Sequence, residues 1–167
     1  MPIAIYDASI PVLRHMLGSL ATILRKAEAH AEHKKIKPEV LINARLFPDM
    51  FPLGKQVQIT TDQAKGCAAR LAGIEVPRFE DSETTFAELQ ARLAKTIAFL
   101  DSIDAAQLAG SETRDISLQV QGKTYEFKGD AYLSNWVLPN FYFHLTTAYN
   151  ILRHNGIEIG KQDFLGG

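Results

Sequence analysis

Asn140-Phe-Tyr-Phe-His144-Leu-Thr-Thr-Ala148-Tyr-Asn-Ile-Leu-Arg-His154-Asn-Gly156 reads as one strong helix around which the rest of the chain is organised. It ends at a glycine, the residue that most readily closes a helix in the left-handed conformation. At the α-helical period, Leu133, Val137, Asn140, Phe141, His144, Thr147, Ala148 and Ile151 fall on one side. Asn140 and His144 are therefore one turn apart, and both are polar on an otherwise apolar face. The helix is expected to start after Asp130, a residue type that caps, and to be kinked or divided by Pro139, which removes a backbone donor and clashes one turn back. Phe141, Tyr142, Phe143 and Tyr149 surround it, so more than one of its faces is expected to be covered.

Just upstream the period changes. Ile116, Leu118 and Val120 alternate with Ser117, Gln119 and Gln121, and Gly122-Lys123 separates them from Thr124-Tyr-Glu-Phe127. That pattern predicts a β-hairpin, which must lean on the helices because two strands alone are marginal in water.

Three further helices precede the hairpin. The first runs from about Ser9 to about Glu32, capped by Asp7 or Ser9, with Pro11 tolerated in its first turn and Ile10, Leu13, Leu17, Leu20, Leu24, Ala27 and Ala31 on one stripe. Pro38 to Arg45 reads as a short helix with Leu41 and Leu46 inward. In the loop Phe47-Pro-Asp-Met-Phe-Pro52, Met50 and Phe51 are expected to plug into the body, and Asp49 is placed to cap the next helix. The second long helix runs from Pro52 to Gly73, with Leu53, Val57, Thr60, Ala64, Cys67, Ala68 and Leu71 inward. Gln56 and Thr60 flank its inner stripe. Asp62 and Lys65 fall elsewhere and read as surface or interface pairs. Pro77 keeps Ile74–Glu83 a linker. The third helix opens with Thr85 and Glu88 as a capping box and carries Phe86, Leu89, Leu93, Ile97 and Leu100 inward.

Four long amphipathic helices with one hairpin before the last define an all-α four-helix bundle with a small β addition. The 167 residues are most simply one domain, 1–167, with an ordinary 46% apolar and 22% charged composition. Lys and Arg number 18 against 19 Asp and Glu, which gives no support to a nucleic-acid footprint or a polybasic membrane surface. Charges interrupt every apolar run, so no membrane span is expected. A single Cys67 excludes an intrachain disulfide framework, and with no signal-peptide pattern at Met1-Pro-Ile-Ala-Ile a cytoplasmic setting is expected. The tail, with Ile159, Phe164 and Leu165, is expected to dock on the body or on a second subunit.

The candidate site is an inter-helix pocket formed by Gln56, Thr60, Asn140 and His144, taking a small molecule. His144 is also the candidate metal ligand, since bundle sites are built from inward residues on facing helices and imidazole suits Zn, Ni, Fe and Cu. The plainer alternative is a core histidine bonded to Gln56, Thr60 or a backbone carbonyl. His30 and His33 share a face, but in a charged helix end they fit solvated residues that complement the C-terminal dipole. His15 sits beside the first stripe and His154 near the last helix's end, so neither partners His144. Cys67 among alanines reads as inert.

Several motifs together resemble the domain-of-unknown-function 1993 family: Pro48-Asp-Met-Phe-Pro-Leu, Gln56-Val-Gln, Asp62-Gln-Ala-Lys65, Glu83-Thr-Thr-Phe-Ala-Glu-Leu, Leu138-Pro-Asn-Phe-Tyr-Phe-His144-Leu-Thr-Thr-Ala-Tyr, and Leu152-Arg-His-Asn-Gly156 through Lys161-Gln-Asp-Phe. The resemblance covers essentially the whole chain. It implies a bacterial protein with the DinB-like (damage-inducible protein B) fold. Members of that superfamily are often homodimeric, often hold Ni or Zn on three histidines, and include thiol-dependent transferases and isomerases. In that pattern the last helix carries two histidines one turn apart before the closing glycine. Here the second position is His144 and the first is Asn140, and Pro52 to Gly73 contains no histidine for the third. The expectation is a degenerate metal site, with a metal-dependent thiol-transferase-like enzyme using His144, or a non-catalytic homodimeric module, as the alternatives.

Overall fold

The computed structural model describes residues 3–167. Within them twelve segments follow one another, and four are long. Helix α1 spans Ile10–Lys34, with Pro11 in its first turn; Ser9 holds the N-cap position but its hydroxyl turns back to donate to the Ile5 carbonyl at 2.6 Å. Helix α2 is Pro38–Ile42 and α3 is Leu53–Ala72. Pro52 occupies the N-cap of α3, its missing N–H costing nothing there, and Gly73 closes it with φ +70°. Helix α4, Phe86–Asp101, carries the complete Thr85–Glu88 capping box that the sequence predicts. The backbone amides of Thr84 and Thr85 donate to Glu88, holding its carboxyl below the usual carboxylate range.

After the short α5 (Ala105–Leu108) and a 3-10 turn at Ser111–Thr113 come β1 (Asp115–Val120) and β2 (Lys123–Lys128). They pair antiparallel, with Ile116 opposite Phe127 and Leu118 opposite Tyr125. The turn falls on Gln121 and Gly122, one residue before the expected position; both have positive φ (49° and 77°), the conformation that matches strand twist in a two-residue hairpin. The hairpin leans on the next segment through Trp136, whose ring lies 4.9 Å from Tyr125 and 5.8 Å from Phe127.

The final helical run is α6 (Gly129–Tyr132), a π-helical turn (Leu133–Val137) and α7 (Leu138–His154). The junctions keep right-handed helical angles, but the α-helical ladder breaks at the π turn and resumes at Leu138 with Pro139 in the first turn of α7, the division expected of this proline. The wider turn immediately before it accommodates the ring, a familiar cause of a π segment. Lys128, not Asp130, is the N-cap; Asp130 lies within the first turn, where its carboxylate accepts from the Ala131 amide.

The long helices pack in the cyclic order α1, α4, α3, α7, with α3 against α7 the most extensive contact between them. The small residues Ala64, Cys67 and Ala68 on α3, all fully buried, permit that close approach, and Phe141, Ala148 and Ile151 of α7 face the same core. Helix α8 (Lys161–Leu165) docks the tail on α1: His15 Nε2 donates to the Leu165 carbonyl at 2.7 Å, Lys26 pairs with Asp163, and Phe164 meets Tyr149 edge to face.

Three expectations near α2 are corrected. Helix α2 ends at Ile42, so Leu41 is buried but Leu46 lies beyond the helix and is exposed. Phe51 does not plug the body; it is 53% exposed, and Met50 is only half-buried. Asp49 is exposed and α3 has no side-chain cap. The loop is held instead by its backbone, with Leu53 N–H on the Ala44 carbonyl at 2.9 Å and Arg45 on the Met50 carbonyl, which leaves the apolar side chains outward.

Candidate functional site

Helices α3 and α7 bring Gln56 and His144 together across 88 positions of sequence. Gln56 sits one turn into α3 and is 1% exposed, so each polar atom of its side chain needs a protein partner. Its amide nitrogen donates to the Phe51 carbonyl at 3.0 Å, and its Oε1 lies 2.7 Å from His144 Nδ1. Its backbone carbonyl accepts from the Thr60 hydroxyl at 2.7 Å. Thr60 is fully buried. Asn140 is half-buried and donates along its own helix to the Trp136 carbonyl at 2.7 Å, the back-bonding that short polar side chains favour. Of the four residues the sequence proposes, then, Gln56 and His144 are bonded to each other, Thr60 supports Gln56 from behind, and Asn140 is occupied on α7.

His144 is half-buried, and burial lowers its pKa, which favours the neutral ring. The Phe143 ring stands edge-on to it, centroids 5.1 Å apart. Nε2 has no partner among the described residues, and it is not one of the two buried, unpartnered polar atoms, Ser111 Oγ and Arg114 Nε. Phe143, the ring in contact with His144, is 56% exposed, and Phe51, whose carbonyl holds Gln56, is 53% exposed. The five cavities described on the molecule, such as the 590 Å³ one under Pro77 and Phe79, are lined by other residues.

The metal implied by the superfamily resemblance does not fit this donor set. Among the described residues no three His, Cys, Asp or Glu side chains converge. His144 Nδ1 is committed to Gln56, and Asn140 to Trp136. His30 and His33 line a 550 Å³ surface cavity with Lys26, Lys34 and Glu158, on another part of the molecule. His15 clasps the tail, and His154 is exposed. Cys67 is fully buried, and burial pushes its thiol up to about 12, so no reactive thiolate is available there.

A second polar cluster lies outside the sequence expectations. Asp62 and Lys65 do pair, at 3.0 Å, but not at the open surface: Lys65 is 6% exposed and Arg92, on α4, is 3% exposed. The Arg92 guanidinium reaches Asp62 (2.8 Å), Asp81 (3.1 Å), Glu83 (3.0 Å) and the Thr61 hydroxyl (2.7 Å). Lys65 donates to the Pro77 carbonyl at 2.8 Å, and Gln58 to Glu83 at 3.0 Å. The Phe79 ring lies under three cations, with Lys95 Nζ 4.1 Å and Lys65 Nζ 4.4 Å from its centroid and Arg92 Cζ at 5.6 Å. Burial works to raise the Asp81 carboxyl, but Lys55 and Arg92 outweigh it and hold it below its ordinary value. These contacts strap residues 74–85 across the outer face of α3. The sequence signal was Arg92 itself, three positions after Leu89 and one before Leu93 on the inward stripe of α4.

A four-helix bundle in this cyclic order, with a hairpin before the last helix and a histidine facing α3 from it, is the DinB-like architecture. The chain belongs to the family described as Domain of unknown function (DUF1993), whose model matches residues 5–165. It is similar to a DinB family member protein from Shewanella denitrificans whose crystal structure is known at 1.83 Å resolution. The two are 45% identical and superpose with a TM-score of 0.90, over 97% of this chain and 92% of that one. Among curated proteins no match to the chain was found. No helix of the described residues is long and apolar enough to cross a membrane.

Proposed function

We propose that this chain is a cytoplasmic bacterial protein that binds a small molecule at the α3–α7 seam, with His144 as its polar contact and Phe143, beside the end of the loop at Phe51, as its apolar wall. The observation that carries this reading is the unpartnered Nε2 of a half-buried histidine with the exposed Phe143 ring edge-on to it. Small-molecule sites combine a mostly apolar lining with a few placed polar groups. Gln56 and Thr60 belong to the site as supports, since both are fully packed. Asn140 flanks it one turn before His144.

The test is a fragment screen followed by proton–nitrogen correlation NMR. Binding is expected to shift the amides of residues 49–56 and 140–147. His144→Asn is the informative variant, because its amide can still donate to Gln56 while Nε2 is gone. Loss of the shifts in that variant supports the reading; hits that leave both segments unmoved sink it.

A second reading draws on exposed side chains. In it Phe47, Phe51 and Phe143 pack against a second copy, and the chain is a non-catalytic homodimeric module. Sedimentation velocity separates the two: a dimer abolished by Phe143→Ser favours this one, and a monomer at micromolar concentration removes it.

A further inference from the structure

The bonding of Gln56 decides where the proton of His144 resides. A backbone carbonyl can only accept, so the side-chain atom of Gln56 facing Phe51 at 3.0 Å must be the amide nitrogen. That turns Oε1, which can only accept, toward His144 at 2.7 Å. Nδ1 must therefore carry the hydrogen. Gln56 is 1% exposed, so a flipped amide would hold two oxygens against each other at Phe51 in a buried place, which is costly. In the neutral ring the second nitrogen is then a lone-pair acceptor. This atom, Nε2, is the one without a partner.

We infer that the ligand taken at His144 is a neutral molecule with an aromatic or apolar body and one hydrogen-bond donor, such as a hydroxyl, and that Nε2 is its acceptor. The inference rests on the ligand-binding reading above and narrows it to a chemical class. An anion meets a lone pair instead of a proton, and neither Gln56 nor His144 is bonded to any lysine or arginine among the described residues. A cation finds no countercharge, since no carboxylate is bonded to His144 or Gln56 among the described residues. A neutral donor loses little, and the edge-on Phe143 ring gives its body a wall. Gln56 acts here as a positioning residue: it does not touch the ligand but fixes which nitrogen faces it.

The test uses the full chain with three probes of similar shape: phenol, anisole and benzoate. Long-range proton–nitrogen correlation spectra of the imidazole, taken at about pH 8 where an ordinary histidine is neutral, read the tautomer directly. The expected result is the hydrogen on Nδ1, binding of phenol at His144 about tenfold tighter than anisole, as one added hydrogen bond supplies, and no binding of benzoate. In Gln56→Leu the Nδ1–H form is expected to lose its dominance and the phenol preference to shrink. A hydrogen on Nε2 in the wild-type protein overturns the inference whatever binds. Equal binding of phenol and anisole at His144, or binding of benzoate there, overturns it while leaving the ligand site standing. Binding of none of the three near His144 overturns the ligand reading and this inference together.

Discussion

Gln56 Oε1 accepts the Nδ1 hydrogen of His144 across 2.7 Å, joining α3 to α7 at the point where Phe51 ends the preceding loop. The bond links three segments through one buried amide. It sets the ring's orientation, its tautomer and the outward direction of Nε2, so substitutions at Gln56 separate the role of the ring from that of its support.

Gln56→Glu keeps an acceptor for Nδ1 but replaces the amide that donates to Phe51 with a carboxylate oxygen. A buried negative charge beside the imidazole favours its protonated form. The pKa of His144, followed by NMR titration, is expected to rise relative to the wild-type protein. The lost donor leaves the Phe51 carbonyl without its partner, and urea unfolding is expected to show a stability loss of about 1–3 kcal/mol.

Folding should respond to pH through the same residue. Burial lowers the His144 pKa in the folded state, so the unfolded chain binds this proton more readily. The contribution is therefore fully present above the unfolded value of about 6.5 and is lost as pH falls through the lower folded value. Denaturant midpoints measured across that interval are expected to decline toward acid. His144→Asn is expected to decline less steeply over the same range.

The strap over α3 depends on Arg92. Arg92→Met removes the one guanidinium shared by Asp62, Asp81 and Glu83, leaving Asp62 to Lys65, Asp81 to Lys55 and Glu83 without a cation among the described residues. Breaking a buried ion pair costs about 3–5 kcal/mol. The lower end is expected here, because the Asp62 and Asp81 side chains remain 37% and 38% exposed and so keep part of their hydration. Hydrogen exchange of residues 74–85 should accelerate well beyond that of α4. Arg92→Lys is not expected to restore it, since an ammonium cannot span the five partners the guanidinium fork reaches: Asp62, Asp81, Glu83, the Thr61 hydroxyl and the Glu80 carbonyl.

Gly129 is fixed by its neighbour, not by its torsions. A Cβ there would lie 1.9 Å from the Ser111 carbonyl oxygen, and a backbone atom cannot rotate away. Gly129→Ala is expected to destabilise by about 3 kcal/mol in chemical denaturation. Gly110→Ala is the control for the same connection: nothing lies within 4 Å of a Cβ there, and its cost is confined to its positive φ of 75°.

The elements were legible where local chemistry decides them. Pro52 and Gly73 bound α3, Thr85 and Glu88 start α4, and alternation marks the hairpin, because each effect acts within a few residues. The pairing of His144 with Gln56 was readable as one option, since helical phase placed both inward. The strap was not. Periodicity assigns one packed face to a helix, and α3 has two: Gln58, Thr61 and Lys65, all polar, are buried beneath residues 74–85. A linker's path over a helix leaves no periodic trace. The Phe47–Phe51 loop misled for a related reason: apolar composition predicts burial, while this loop is anchored by main-chain bonds that leave Phe47 and Phe51 outward.

The decisive measurement for a ligand at His144 is a crystal structure of the chain soaked with phenol. The phenol ring is expected against Phe143, with its hydroxyl within hydrogen-bond distance of His144 Nε2, about 2.7–3.0 Å, and the Gln56–His144 bond intact. Phenol seated only elsewhere, with Nε2 facing solvent or with Gln56 released from His144, would contradict a donor-binding site at this histidine.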